Sequence, residues 1–362
     1  MSRVKRQHFV PQFYLRRFAK AGTQDQVHVF DKSTGKEFIS SIQSAASRRY
    51  FYDFAPLDEA AGQDQVIEKL LGCFEGAAAS AIAGILDSLS AGTFRGVTEQ
   101  QRLDLALYLP IQILRTEESR EKQVQWVAAL QKTAFEHWLV NKDPELAEKI
   151  GGEFDLVADE QTRKAIHLRT LLDEEHRIDL ANILIRRCWL ILDAGERATF
   201  LTSDHPVVYR GHAKHPWRSM QGLGCPLVEL TLPLSPRYSL YVFDQGRVSS
   251  LVAQDLFEEH LLPVPPANVT YCNSLQVIDS TRHVYSSTGE FQMARAMVSE
   301  DPGMGDPRRP RVEVRRGDEI VNRASRVEEP GRQRWGRRKV GRNALCPCGS
   351  CKKYKKCCLG TR

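Results

Sequence analysis

Between Asp64 and Leu89, apolar residues recur at Ile67, Leu70, Leu71, Phe74, Ala78, Ala81, Ile82, Ile85 and Leu89. This spacing marks one face of an α-helix, and Ala91-Gly92 supplies a C-terminal stop. Thr98, with Gln101 three residues on, predicts a capping box for the next helix. That helix is expected to bend or break near Pro110 and resume through Trp126 to Leu139, with Asn141 to Pro144 ending it. A further helix is expected from about Glu160 to Leu184, its Leu and Ile residues belonging to a core.

On either side of this helical block the period shortens. Val27 to Phe30 alternates as a strand, Asp31 to Gly35 has turn chemistry and Glu37 to Ser40 returns, which predicts a β-hairpin. Ahead of it, Phe13-Tyr14-Leu15-Arg16-Arg17-Phe18 sets Tyr14 and Phe18 on one face of a short helix after Pro11. Cys188 to Leu192 and Thr199 to Thr202 read as strand, turn, strand; Val207 to Tyr209 is extended; Val228 to Leu232 and Ser239 to Phe243 read as further strands. Val252 to Leu261 and Val269 to Tyr285 read as helices, the second opening at Pro266-Ala-Asn268. After Ser299 the composition turns to Pro, Gly and Arg, which predicts a mobile linker. The fold class that follows is α+β: a largely helical middle with a small mixed or antiparallel sheet over residues 1–298, a basic flexible linker over 299–341, and a small cysteine-rich module over 342–362.

Composition narrows the function classes. With 42% hydrophobic and 27% charged residues in 362, the chain is that of an ordinary globular protein with ample core. No run approaches 18 apolar residues, the stretch from Gly76 to Leu86 is too short to span a bilayer, and the start has no apolar signal region, so a cytoplasmic location is expected. Cys73, Cys188, Cys225 and Cys272 are scattered, as buried thiols of a reducing compartment are. The net charge of +6 hides an asymmetry: residues 307–362 hold 18 Lys/Arg against 5 Asp/Glu, while the rest holds 33 against 40. A basic arm of this kind suits nucleic acid, a ribosome or another anionic surface, or serves as a solubilising tether. No phosphate-binding Walker loop, dinucleotide glycine fingerprint, nucleophile elbow or zinc-protease helix is present, which argues against an NTPase, a Rossmann oxidoreductase or an α/β-hydrolase.

The most specific chemistry lies at the end. Cys346, Cys348, Cys357 and Cys358 place four thiols within thirteen residues, enough to close a tetrahedral Zn²⁺ site with no open position. Pro347 and Gly349 favour the sharp turn that brings Cys346 and Cys348 to one ion. Lys352, Lys353, Lys355 and Lys356 offset the charge of a zinc tetrathiolate, and metal binding would supply folding energy that so short a segment lacks. A disulfide reading would require a strained vicinal bond between Cys357 and Cys358. The run from Asn343 to Cys358 resembles the SEC-C motif, the zinc module at the C-terminus of SecA translocase motors. The resemblance implies that the same four cysteines are the ligands and that the zinc knuckle docks onto proteins or ribosomes. One departure is Cys351, which stands where that motif usually carries Gly.

Two constellations in the body are candidates for chemistry. His8, Pro11, Tyr14 and Leu15 precede Arg16-Arg17-Phe18, and Thr202-Ser203-Asp204-His205-Pro206 closes a strand. A strand-end Asp with a distant His could hold a divalent metal or act as base and acid; an Asx turn ahead of proline is the structural alternative for Asp204. His212 and His215 have ligand spacing but no partner near in sequence. The segment Gln7 to Phe18 resembles the opening signature of domain-of-unknown-function family 4238, with further marks at Leu201 to Val207, Leu232 to Pro236, Asn273 and Val284 to Ser286. This resemblance raises His8, Tyr14, Arg16, Asp204 and Asn273 as site residues without implying an activity. Two readings follow: a protein that docks through its zinc module and basic arm onto a protein or ribonucleoprotein, or a metal-dependent hydrolase, such as a nuclease, using His8 and Asp204.

Overall fold

A computed structural model describes residues 3–150, 158–213, 219–244, 260–316 and 319–323. The cysteines from Cys346 onward, His215 and most of the helix expected from Val252 lie outside these residues.

The helical block forms as the periodicity predicts. Helix α3 (Val66–Ser90) follows the short α2 (Ala55–Ala61) and turns Ile67, Leu71, Ala78, Ala81, Ile82, Ile85 and Leu89 into the core. Gly92 then takes φ +67°, the left-handed conformation that terminates helices at least cost. By length and composition α3 could cross a membrane, the one described helix that could; here its apolar face packs on α4 (Glu99–Leu114). Thr98 caps α4 through both bonds of a capping box with Gln101. Contrary to expectation, α4 runs on through Pro110 and ends at Leu114, where Thr116 caps α5 (Glu117–Lys142). The helix expected over 160–184 is two, α7 (Glu160–Leu172) and α8 (Glu174–Ile185), separated by Asp173, whose carboxylate accepts from the His176 N–H. Between α5 and α7 lies α6 (Pro144–Ile150).

Several small sheets replace the single one expected. Strands β1 (Arg6–His8) and β4 (Ser47–Arg49) form an antiparallel pair beside α1 (Gln12–Leu15). The predicted hairpin is β2 (Gln26–Asp31) with β3 (Lys36–Ser41). Its sheet is completed by β11 (His283–Ser286) and β6 (Thr202–Ser203), in the order β3-β2-β11-β6. The second sheet, β10-β5-β9-β8-β7, comprises Leu261–Pro263, Cys188–Asp193, Tyr238–Phe243, Val228–Pro233 and Val208–Gly211. It is antiparallel except for the parallel pair β10 and β5. Thus Thr202 does not return against Cys188–Leu192; it joins the other sheet. The helix expected to reach Tyr285 stops early as α9 (Pro266–Asp279), and the chain switches to β11 within three residues.

After α10 (Gln292–Glu300) comes a segment expected as linker. Its first part is instead held on the body. Arg309 and Arg311 reach the buried Glu118 carboxylate at 3.2 and 2.8 Å, and Gln125 bonds the backbone of both. Beyond it, β12 (Glu313–Arg316) pairs with β13 (Glu319–Arg323).

Candidate functional site

The opening segment divides its residues between core and cleft. Gln7 is fully buried, its amide bridging the Tyr52 N–H at 2.6 Å and the Asp53 carboxylate at 2.5 Å. Phe9, Val10, Tyr14, Leu15 and Phe18 enter the main core. On the other side, His8, Pro11, Gln12, Phe13 and Arg16 line an open cleft of about 860 Å³. Arg3, Lys5 and Arg6 complete its cationic rim, and Glu68, Glu75 and Arg115 supply the remaining charge.

Arg115 is the anchor. Its guanidinium is 1% exposed and bonds the Glu75 carboxylate at 2.7 Å and the His8 carbonyl at 2.6 Å, with the Tyr52 hydroxyl at 3.4 Å. Gln112, one turn earlier on α4, donates to the Phe9 carbonyl at 3.0 Å. The end of α4 thereby fixes the backbone carrying His8. The His8 ring donates from Nε2 to the Gln43 carbonyl at 3.0 Å, because a carbonyl can only accept. Burial lowers its pKa, and nearby Arg115 adds to the effect against the Gln43 bond. Neutral His8 therefore carries its lone pair on Nδ1. Glu68 sits two helical turns before Glu75 on α3, and its buried Oε1 has no hydrogen-bond partner. Burial, together with Glu75 and Asp53 and against Arg115, pushes its pKa up to about 7.

The other expected site residues lie elsewhere. Asp204 is 2% exposed, and its carboxylate accepts three backbone N–H groups, from Thr281, Arg282 and His283, at 2.7–2.8 Å. It holds the switch from α9 to β11; it shares no contact with His8, so the pairing expected for a metal or an acid–base couple is not formed. Among the described residues no group of three or more His, Cys, Asp or Glu side chains is arranged to hold a metal ion. Asn273 clips the 199–201 segment, accepting from the Leu201 N–H at 2.8 Å and donating to the Thr199 carbonyl at 2.9 Å. The buried Tyr14 hydroxyl bonds Thr202 at 2.8 Å and donates to the Pro233 carbonyl at 2.7 Å, linking both large sheets. Arg16 alone of these joins His8 in the cleft, held by Gln12 at 3.1 Å. His212 does have a carboxylate partner, Glu229 at 2.7 Å.

Sequence reasoning missed Glu68, Glu75, Arg115 and Glu118. The signal available was the polar run Arg115-Thr-Glu-Glu-Ser-Arg120 directly after an apolar stretch, and most of it is buried.

A family model described as a protein of unknown function, DUF4238, matches residues 6–290, and a SEC-C motif matches 342–360. The chain belongs to the DUF4238 family. The cleft and all the clasps around Asp204, Asn273 and Tyr14 fall within the DUF4238 span. Curated relatives match through the SEC-C end. The SecA translocase subunit of Syntrophus aciditrophicus (strain SB) is 52% identical over 46 residues, 13% of this chain and 6% of that protein. The SecA subunit of Acetivibrio thermocellus is 66% identical over 35 residues, 10% and 4% respectively. That of Alkaliphilus oremlandii (strain OhILAs) is 31% identical over 115 residues, 32% of this chain and 10% of the relative. The chain therefore spans a tenth or less of these relatives. No solved structure matches.

Proposed function

We propose that this DUF4238 chain is a cytoplasmic docking protein whose SEC-C module binds one zinc ion and, with the basic arm, attaches the body to a protein or ribonucleoprotein partner. The observation that carries this reading is the SEC-C match over residues 342–360, with its complete set of four thiolate donors. The donor set fits the metal: Cys346, Cys348, Cys357 and Cys358 would hold it, and a closed tetrathiolate organises the backbone without offering an open position for catalysis. Eighteen Lys/Arg over residues 307–362 favour an anionic partner, of which a ribosome is one. The test is metal analysis and ribosome co-sedimentation of the full chain beside Cys357→Ser/Cys358→Ser. One zinc per chain and salt-sensitive co-sedimentation, both lost in the variant, are expected. Zinc retained by the variant, or co-sedimentation indifferent to it, would refute the reading.

The hydrolase alternative built on His8 and Asp204 has no support in the geometry, because the Asp204 oxygens are filled by backbone donors.

A further inference from the structure

The cleft beside β1 holds uncompensated charge of both signs. Arg6 and Arg49 are direct cross-strand neighbours, and like charges so placed are destabilising. Arg3 is paired with Asp53 and Arg115 with Glu75, but the exposed side chains of Lys5, Arg6 and Arg49 make no ion pair among the described residues. Arg49 lies over the Tyr50 ring at 5.5 Å, with Arg3 near the same ring at 5.7 Å. Arg16 extends the cationic rim, its nearest carboxylate being Asp25 at 3.7 Å. Inside this rim, the Glu68 Oε1 is shielded from solvent with no donor to bond. A buried acceptor left unpaired costs roughly 1–3 kcal/mol in an empty site, a cost that a ligand donor would remove. Pro11 and Phe13 form an apolar wall.

These features select a ligand with an anionic end for the rim and a hydrogen-bond-donating end for Glu68, flat enough to lie against Phe13. An acidic peptide or a polyphosphate meets the rim but is repelled by Glu68 and Glu75. At about 860 Å³ the cleft has the size of a small-molecule site, roughly 300–1,000 Å³, which suits a single nucleotide unit and not a duplex. We infer that the cleft bounded by Lys5, Arg6, Arg16 and Glu68 binds a nucleoside phosphate, its phosphate on the rim and the amino or imino groups of its base toward Glu68. That chemistry has two sources, a free nucleotide or the end of a single strand. The inference does not rest on the docking reading, since none of these residues belongs to the zinc module or arm.

The test uses the full-length zinc-loaded protein and two fluorescent probes, labelled nucleoside 5′-monophosphates and a short single-stranded RNA, with inorganic phosphate as competitor. Lys5→Glu/Arg6→Glu should weaken binding about tenfold or more, and should reduce its salt dependence. Glu68→Ala should weaken it about tenfold while leaving the free protein as stable or more so, and Glu68→Gln, which keeps acceptor and donor, should stay within about threefold. Both rim residues are exposed, so the double variant is expected to fold. Sensitivity with the monophosphate assigns a free nucleotide; sensitivity with the RNA alone assigns a strand end. Affinities unmoved by either variant, absence of binding by both probes, or displacement by inorganic phosphate as effective as by nucleotide would overturn the inference.

Discussion

Asp204 carries out a structural task that its sequence context disguises. A carboxylate at a strand end before His-Pro has the look of a catalytic group, yet both its oxygens are occupied by N–H donors of residues 281–283. Those three donors sit where α9 has ended and β11 has begun, so no backbone partner is available to them locally. Asp204→Ala would strand all three in a buried site and should lower stability by about 3–5 kcal/mol in urea unfolding. A variant within about 0.5 kcal/mol of the parent that had lost a ligand-binding or catalytic property would instead return Asp204 to the site. Asn273 teaches the same lesson by clasping 199–201. His8 and Arg16, by contrast, were legible as site residues, because exposed polar side chains in an otherwise core-forming segment have no packing reason to be there. Glu68 and Glu75 were not legible. On the α3 helix they fall among polar positions that periodicity assigns to solvent, and only the approach of Arg115 from α4 makes them part of a cleft.

The elements that sequence foretold were those whose signals are local. The Thr98 capping box needs only four residues, and Thr98→Ala should cost about 1 kcal/mol, read as a lower urea midpoint with unchanged slope. The α9-to-β11 switch was missed because Val269 to Tyr285 is apolar throughout, and such a run serves helix and strand alike; the decision is made by β2 and β6 pairing with β11. Charge burial decides the strap at 301–311 in the same non-local way. Arg311 and Arg309, outweighing burial, hold the Glu118 pKa down to about 2. Facing the same group are the Thr281 hydroxyl and the buried His205, whose pKa burial lowers to about 4, with Lys32 and Lys122 nearby. A depressed carboxylate pKa contributes stability above its unfolded value of 4.5 that is lost as pH falls toward about 2. Neutral His205 adds to it, since stability falls as pH drops from 6.5 through about 4. Acid should therefore loosen this clasp in two overlapping steps. Urea stability measured from pH 7 to 3 should fall steadily in the parent, while Glu118→Gln should start lower and lose less below pH 4.5. Parallel profiles for the two proteins would disprove the role of Glu118.

At the scale of the whole molecule, the question is where the body ends and the tail begins. Composition marks the change after Ser299, because Pro, Gly and Arg become frequent there. Contacts mark it later: Met304 and Val298 pack on the cluster around Phe30 and Phe291, and Arg309 and Arg311 fill the Glu118 site. Composition failed here because arginine reads as tail wherever it occurs, and only its buried carboxylate partner reveals a clasp. Two truncations separate the boundaries. A chain ending at Ser299 leaves Glu118 buried without either guanidinium, and breaking a buried pair by removing one side costs about 3–5 kcal/mol. A chain ending at Arg323 keeps both arginines and loses only residues after β13. Urea unfolding should therefore show the first markedly less stable than the full chain and the second equal to it. Chelating zinc from the full chain should act like the second truncation, abolishing attachment to the partner while the unfolding midpoint holds. If chelation also moved the midpoint, the zinc module would be part of the body's folding unit, and docking through an independent module would have to be abandoned.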